Sequence, residues 1–145
     1  MGTEQGFEFL EHTADVKFKA FGKTMIECFG NAGKALNATM CGLESIQAKV
    51  SKPLELEAEN AEQLLHGFLD SVLFEIQTNS LLFCKFELKI GELKSGRMQL
   101  VGKMIGEHSE SLVHEIKADV KAVTWNDFYL KKTPEGWECQ VLLDV

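Results

Sequence analysis

The stretch LFCKFELKIGELKSGRMQLVGKMIG, residues 82–106, sets the class of the fold. Leu82, Cys84, Phe86, Leu88 and Ile90 alternate with Lys85, Glu87 and Lys89, which predicts a strand with one inward, apolar face. Lys94-Ser95-Gly96 turns the chain. Met98, Leu100 and Met104 on one face, with Val101 and Ile105 on the other, then predict a hairpin partner. Strands joined by short turns favour antiparallel pairing and exclude a doubly wound parallel sheet, whose strands need helical crossovers.

Upstream, Phe7 and Phe9 alternate weakly, and Val16, Phe18 and Ala20 alternate with Lys17 and Lys19, predicting two opening strands. Thr24 and Glu27 form a capping box for a helix whose apolar residues Met25, Ile26, Phe29, Ala32, Gly33, Leu36 and Met40 recur at helical spacing until Gly42. Leu54, Leu56 and Ala58 alternate with Glu55, Glu57 and Glu59, a half-buried strand with an acidic, solvated outer face. Asn60 caps a second helix with an apolar stripe through Leu64, Leu65, Phe68, Leu69, Val72, Leu73 and Ile76, ending near Asn79.

Downstream, Gly106 to Ser111 reads as loop, and Ile116, Ala118, Val120 and Ala122 alternate with Lys117, Asp119 and Lys121 as a strand. A last hairpin turns through Thr133-Pro134-Glu135-Gly136 into an apolar terminal strand. The expected fold is α+β, a single domain over residues 1–145, with two helices packed on one face of a mostly antiparallel, mixed β-sheet.

A chain of 145 residues, 45% hydrophobic and 26% charged, has ordinary globular proportions; neither a disordered chain nor a membrane span fits. The net charge of -7 opposes broad binding to phosphate backbones, so any RNA partner is expected to be met only indirectly. The opening MGTEQGFEFLEHTAD has neither the basic start nor the apolar run of a secretory signal, which predicts a cytoplasmic protein. Cys28, Cys41, Cys84 and Cys139 are scattered, without CxxC or zinc-ligand spacing, and are read as reduced structural thiols. Asn37-Ala38-Thr39 matches a glycosylation acceptor by chance, inside a predicted helix. No GxGxxG, P-loop or nucleophile elbow is present.

Two places can carry chemistry. Glu11-His12-Thr13-Ala14-Asp15 gathers bonding and ligating side chains between two short strands, although an ordinary turn, with Thr13 and Asp15 bonded to nearby amides, accounts for the same residues. At the other end, Val141-Leu142-Leu143-Asp144-Val145 sets the Asp144 carboxylate beside the α-carboxylate of Val145. Two carboxylates held that close favour a shared proton or a bound cation, and hard oxygen donors select Ca²⁺, Mg²⁺ or Mn²⁺; a solvated end without metal is the alternative.

FEFLEHTADVKFKAFGKTMIECFGNAGKAL, ADVKAVTW and GWECQVLLDV together resemble the archease family, over about Phe7 to Val145. The resemblance implies an accessory protein, not itself an enzyme, that activates an RtcB-type RNA ligase in tRNA splicing and RNA repair. It would promote guanylylation of the ligase by GTP, so that GTP is met through the ligase, and allow multiple turnover. The same resemblance implies a divalent metal ion (Ca, Mg or Mn) on Asp15, Asp144 and the terminal carboxylate of Val145. It places His12 and Asp119 nearby as ligands or as hydrogen-bond partners of ligands. Asp119 stands where members often carry Glu, and the shorter acid fits a supporting hydrogen bond. Lys121 is the candidate contact for the partner or a phosphate; a solvated strand lysine accounts for it equally. Such a site needs the terminal strand to lie beside the strand that starts at Val16. The competing readings are a stand-alone metal-dependent hydrolase or phosphotransferase, which lacks an obvious nucleophile or base apart from His12, and a chaperone-like binding module.

Overall fold

The computed structural model describes residues 5–11 and 14–145. Strands β1 (Phe7–Leu10) and β2 (Val16–Gly22) open the chain, followed by helix α1 (Met25–Met40), strand β3 (Val50–Ala58) and helix α2 (Ala61–Asn79). Strands β4 (Leu81–Glu92), β5 (Met98–His108), β6 (Ala122–Val123), β7 (Tyr129–Thr133) and β8 (Gly136–Asp144) complete it. Every pairing is antiparallel, but the strands divide between two sheets where the sequence suggested one. One runs β1-β2-β8-β6, with β7 also on β8, and the other runs β3-β5-β4. The helices bridge them: α1 packs on β2 and β8 of the first sheet and on β4 of the second, while α2 touches β3, β5 and β6.

Both helices start where their caps predict. The Thr24 side chain accepts from the Glu27 amide at 3.1 Å, and Glu27 returns a carboxylate oxygen to the Lys23 amide at 3.1 Å. Asn60 accepts from the Gln63 amide at 2.9 Å. Between the helices, Phe29 and Phe68 stack at 6.0 Å and Phe68 meets Phe86 of β4 edge-on at 5.5 Å. Gly33 permits this, since a Cβ there would lie 2.8 Å from the Phe86 ring.

The hairpin β4–β5 departs from strict alternation at one point. Phe83 pairs with Gly106 and Lys85 with Ile105, so Cys84 is an extra residue in a β-bulge. The bulge shifts the phase of the strand: Phe83 is fully buried and Cys84 only half-buried, the reverse of what alternation predicts. The side chain of Asn37 on α1 steadies it, accepting from the Phe83 amide at 2.8 Å while donating to the Gly33 carbonyl at 2.8 Å. Asn37 is 0% exposed, which closes it to glycosylation. All four cysteines are free thiols. Cys28 donates to the Ala20 carbonyl at 3.6 Å. A bond with the Cys28 thiol, and then burial, hold Cys139 well above the ordinary thiol range.

Residues 106–111 are less of a loop than their composition suggests: β5 continues to His108, and Ser109–Leu112 form a single 3-10 turn. The strand expected over 116–122 is reduced to Ala122–Val123. Ahead of these two rungs the segment lies outside any ladder, tied by Lys117 N–H to the Met40 carbonyl at 2.8 Å and by Lys121 N–H to the Asp144 carbonyl at 2.7 Å. Ala122 pairs with Asp144, the last residue of β8, so that strand offers no partner to the residues before it.

Candidate functional site

The terminal strand lies where a site from both ends of the chain needs it. β2 pairs along its whole length with Trp137–Leu143 of β8, with Val16 opposite Leu143, Phe18 opposite Val141 and Ala20 opposite Cys139. These side chains turn to the core: Phe18, Ala20, Cys139, Val141 and Leu143 are all 0% exposed. Asp15 precedes Val16 and Asp144 follows Leu143, the last rung of this register, so both aspartates lie at the same end of the β2–β8 pair. On the far side of β8, Asp144 is paired with Ala122, and its carbonyl takes the Lys121 amide. Lys121 therefore sits beside Val145. Asp144 and Lys121 are exposed, while Asp15 and Val145 are half-buried, with Val145 packed on the core.

Behind this rim the outer face of the sheet is a set of ion pairs. Lys17 meets Asp127 at 3.2 Å, and Glu138 faces Lys19 at 3.8 Å and Lys131 at 3.9 Å. The Tyr129 hydroxyl donates to Glu138; burial, and then this carboxylate, raise its pKa. Lys17 and Lys19 are thus engaged with other acids, and Lys121 neighbours the Asp144–Val145 end.

On the helix side, Asp15 also lines an open cleft of about 720 Å³ with Phe9, Leu10, Glu11, Val16, Thr39 and Lys117. Lys117, itself exposed, reaches this cleft from the unpaired segment ahead of β6.

Among the described residues no three His, Cys, Asp or Glu side chains cluster at metal-binding distance. The trio expected from the sequence takes its third oxygen from the main-chain terminus of Val145, which is no side chain. Its donors are all hard carboxylate oxygens, the chemistry that suits Ca²⁺, Mg²⁺ or Mn²⁺. Asp119 is exposed and lies two residues before Lys121, in the unpaired segment. His12 lies outside the described residues.

A model of the archease protein family matches residues 7–145. The chain belongs to the archease family. Archease from Pyrococcus furiosus is 36% identical over 140 residues, covering 96% of this chain and 98% of its own length. Archease from Methanosarcina mazei is 32% identical over 139 residues, covering 96% and 95%. The solution structure of Methanobacterium thermoautotrophicum protein 1598 superposes with a TM-score of 0.83 at 32% identity, over 97% of this chain and 99% of that one. The crystal structure of an archease from Thermotoga maritima, described as a possible chaperone, has a TM-score of 0.58 at 15% identity over 94% of each chain, a likeness of fold. No described helix is long and apolar enough to cross a membrane.

One group of residues escaped the reading of the sequence. His66 on α2 stacks on Trp125 at 3.9 Å between ring centroids, with the planes 4° apart, and Phe128 meets both rings edge-on. Asp70 lies 3.2 Å from His66 Nδ1, and His66 Nε2 is buried with no hydrogen-bond partner. Trp125 closes the ADVKAVTW stretch, but nothing in its spacing points to a histidine on another element.

Proposed function

We propose that this archease activates an RtcB-type RNA ligase, promoting its guanylylation by GTP and its turnover, through a divalent cation held by Asp15, Asp144 and the terminal carboxylate of Val145. The observation that carries the reading is the β2–β8 register, which leads acids from the two ends of the chain to one rim. Carboxylates crowded together repel, and a divalent cation relieves that repulsion while leaving coordination positions for phosphate oxygens. Asp119 and His12 would act as neighbours of the ion, and Lys121, beside Val145, would face the partner or a phosphate. A net charge of -7 suits a protein that meets RNA only through the ligase and GTP only at the ligase. The protein would act in the cytoplasm and without catalytic residues of its own.

The test is to assay the protein alone against phosphoesters and then with an RtcB-type ligase, GTP and a divalent cation. The expected result is no hydrolysis alone and faster, repeated ligase guanylylation in the mixture. Phosphoester hydrolysis by the protein alone would favour the stand-alone hydrolase or phosphotransferase. Protection of unrelated proteins from aggregation, without effect on the ligase, would favour a chaperone-like module.

A further inference from the structure

Trp125 is 55% exposed, although one face of its indole lies flat on His66. Phe128 braces the stack from the side, and the His66 imidazole is itself held through Nδ1 by Asp70, so the exposed indole stands on a fixed base. Asp70 keeps 56% of its side chain in solvent and, among the described residues, no Lys or Arg lies within 4.0 Å of it. One turn further along α2, Phe74 is 58% exposed. Segment 120–130 runs beside α2 in the opposite direction: Gln77 donates to the carbonyls of Val120 and Lys121 at 3.2 Å, and Glu62 receives the Leu130 amide at 3.4 Å. Trp125, Asp70 and Phe74 consequently share one surface, an accessible carboxylate between two exposed aromatic rings.

The charge of that surface selects its occupant. Residues 61–79 and 120–130 contain Glu62, Asp70, Glu75 and Asp127 against a single cation, Lys121, at the Gln77 end. Glu75 and Asp127 are paired with Lys52 and Lys17, leaving Asp70 as the accessible acid between the rings. Phosphate backbones are repelled by such a face. A second copy would set acid against acid across a two-fold axis. An arginine or lysine is favoured on all counts: its stem covers the rings, its charge meets Asp70, and an aromatic face attracts a cation.

We infer that Trp125, Asp70 and Phe74 form a docking surface for an arginine- or lysine-bearing segment of a protein partner. The surface rests on the proposed function only in taking the ligase as that partner. Two titrations test it. In the first, a nine-residue peptide of alternating Arg and Leu is titrated calorimetrically into the protein, against one of alternating Glu and Leu. Saturable binding of the Arg peptide alone is expected, weakened at least tenfold by Asp70→Lys and about fivefold by Trp125→Ala or Phe74→Ala, all at exposed positions, with circular dichroism unchanged. In the second, affinity for an RtcB-type ligase should fall in the same order.

Arg-peptide binding that ignores all three substitutions would overturn the surface, as would no binding at all. So would single-stranded RNA binding, or a concentration-dependent dimer, lost on Trp125→Ala. A protein that binds the Arg peptide through Trp125 and Asp70 yet never stimulates the ligase keeps the surface and loses the proposed function. One that stimulates the ligase equally with all three substitutions, and ignores the peptide, does the reverse.

Discussion

The β3-β5-β4 sheet and the β2–β8 ladder are both antiparallel, yet the first is built on a local hairpin, β4–β5, and the second joins opposite ends of the chain. β4 and β5 are consecutive, and their turn is closed by a bond from the Leu93 amide to the Arg97 carbonyl at 2.7 Å. Their pairing forms with little loop closure, whereas the ladder joins Val16 to Leu143 only after the rest of the domain has folded back. Both regions bury apolar side chains; the outer face of the first is solvated, while the end of the long-range ladder borders Asp15 and Asp144. Stability and function should therefore separate by region, and five substitutions test that separation.

The largest effect is expected in the local sheet. Gly106 pairs with Phe83 at the bulge, and a Cβ there would strike the Leu82 carbonyl oxygen and the Phe83 backbone. Gly106→Val should cost about 3 kcal/mol or more in urea unfolding, since backbone cannot yield as a side chain can. Next comes Asn37→Leu, which leaves the buried Phe83 N–H without its acceptor; a loss of about 2 kcal/mol is expected. A near-neutral result for either would mean that the bulge is not what fixes the hairpin.

The third probe is pH, at a residue of the ladder that faces the core. Cys139 is raised above its ordinary value of 9.0 in the folded protein, so above about pH 9 the unfolded chain gives up a proton that the folded one keeps. Stability should be at full strength below that pH and fall above it, by up to about 1.4 kcal/mol per pH unit for one proton. Tyr129, also raised, adds to the loss above about pH 10. Cys139→Ala should flatten the alkaline slope, read from thermal midpoints between pH 8 and 10; an unchanged slope would assign it to other groups.

The smallest effect on stability falls on the acids of the rim. Asp15→Asn and Asp144→Asn keep their shape and bury nothing new, so unfolding should move by no more than about 0.5 kcal/mol. Relief of carboxylate repulsion would make that shift favourable. Calorimetric cation binding and ligase stimulation should nevertheless both be lost. Were either variant to unfold, the rim would belong with the core and the separation would fail.

What could be read from the sequence follows the same division. Thr24, Asn60 and the alternation around Leu88 and Leu100 are signals within a few residues, and they place both helices and the β4–β5 hairpin. The bulge at Cys84 was hidden because it depends on Asn37, an element away. The shortened β6 was hidden because alternation of residues 116–122 says nothing of whether a partner strand extends far enough to pair. The apolar Val141–Leu143 run beside Asp144 pointed to an ordered, buried terminus, and the ladder agrees. His66 and Trp125 meet only through the packing of α2 against segment 120–130, which no local pattern encodes.

The central claim is that the carboxylates of both chain ends act as one cation site on which ligase activation depends. Its most direct test is a chain extended by a few residues beyond Val145, which exchanges an anionic terminal oxygen for a neutral amide, measured by calorimetric Ca²⁺, Mg²⁺ and Mn²⁺ binding and by GTP-dependent guanylylation of an RtcB-type ligase. The account predicts a folded protein that has lost cation binding and stimulation together. An extended protein that is folded and stimulates the ligase at the native rate would contradict it.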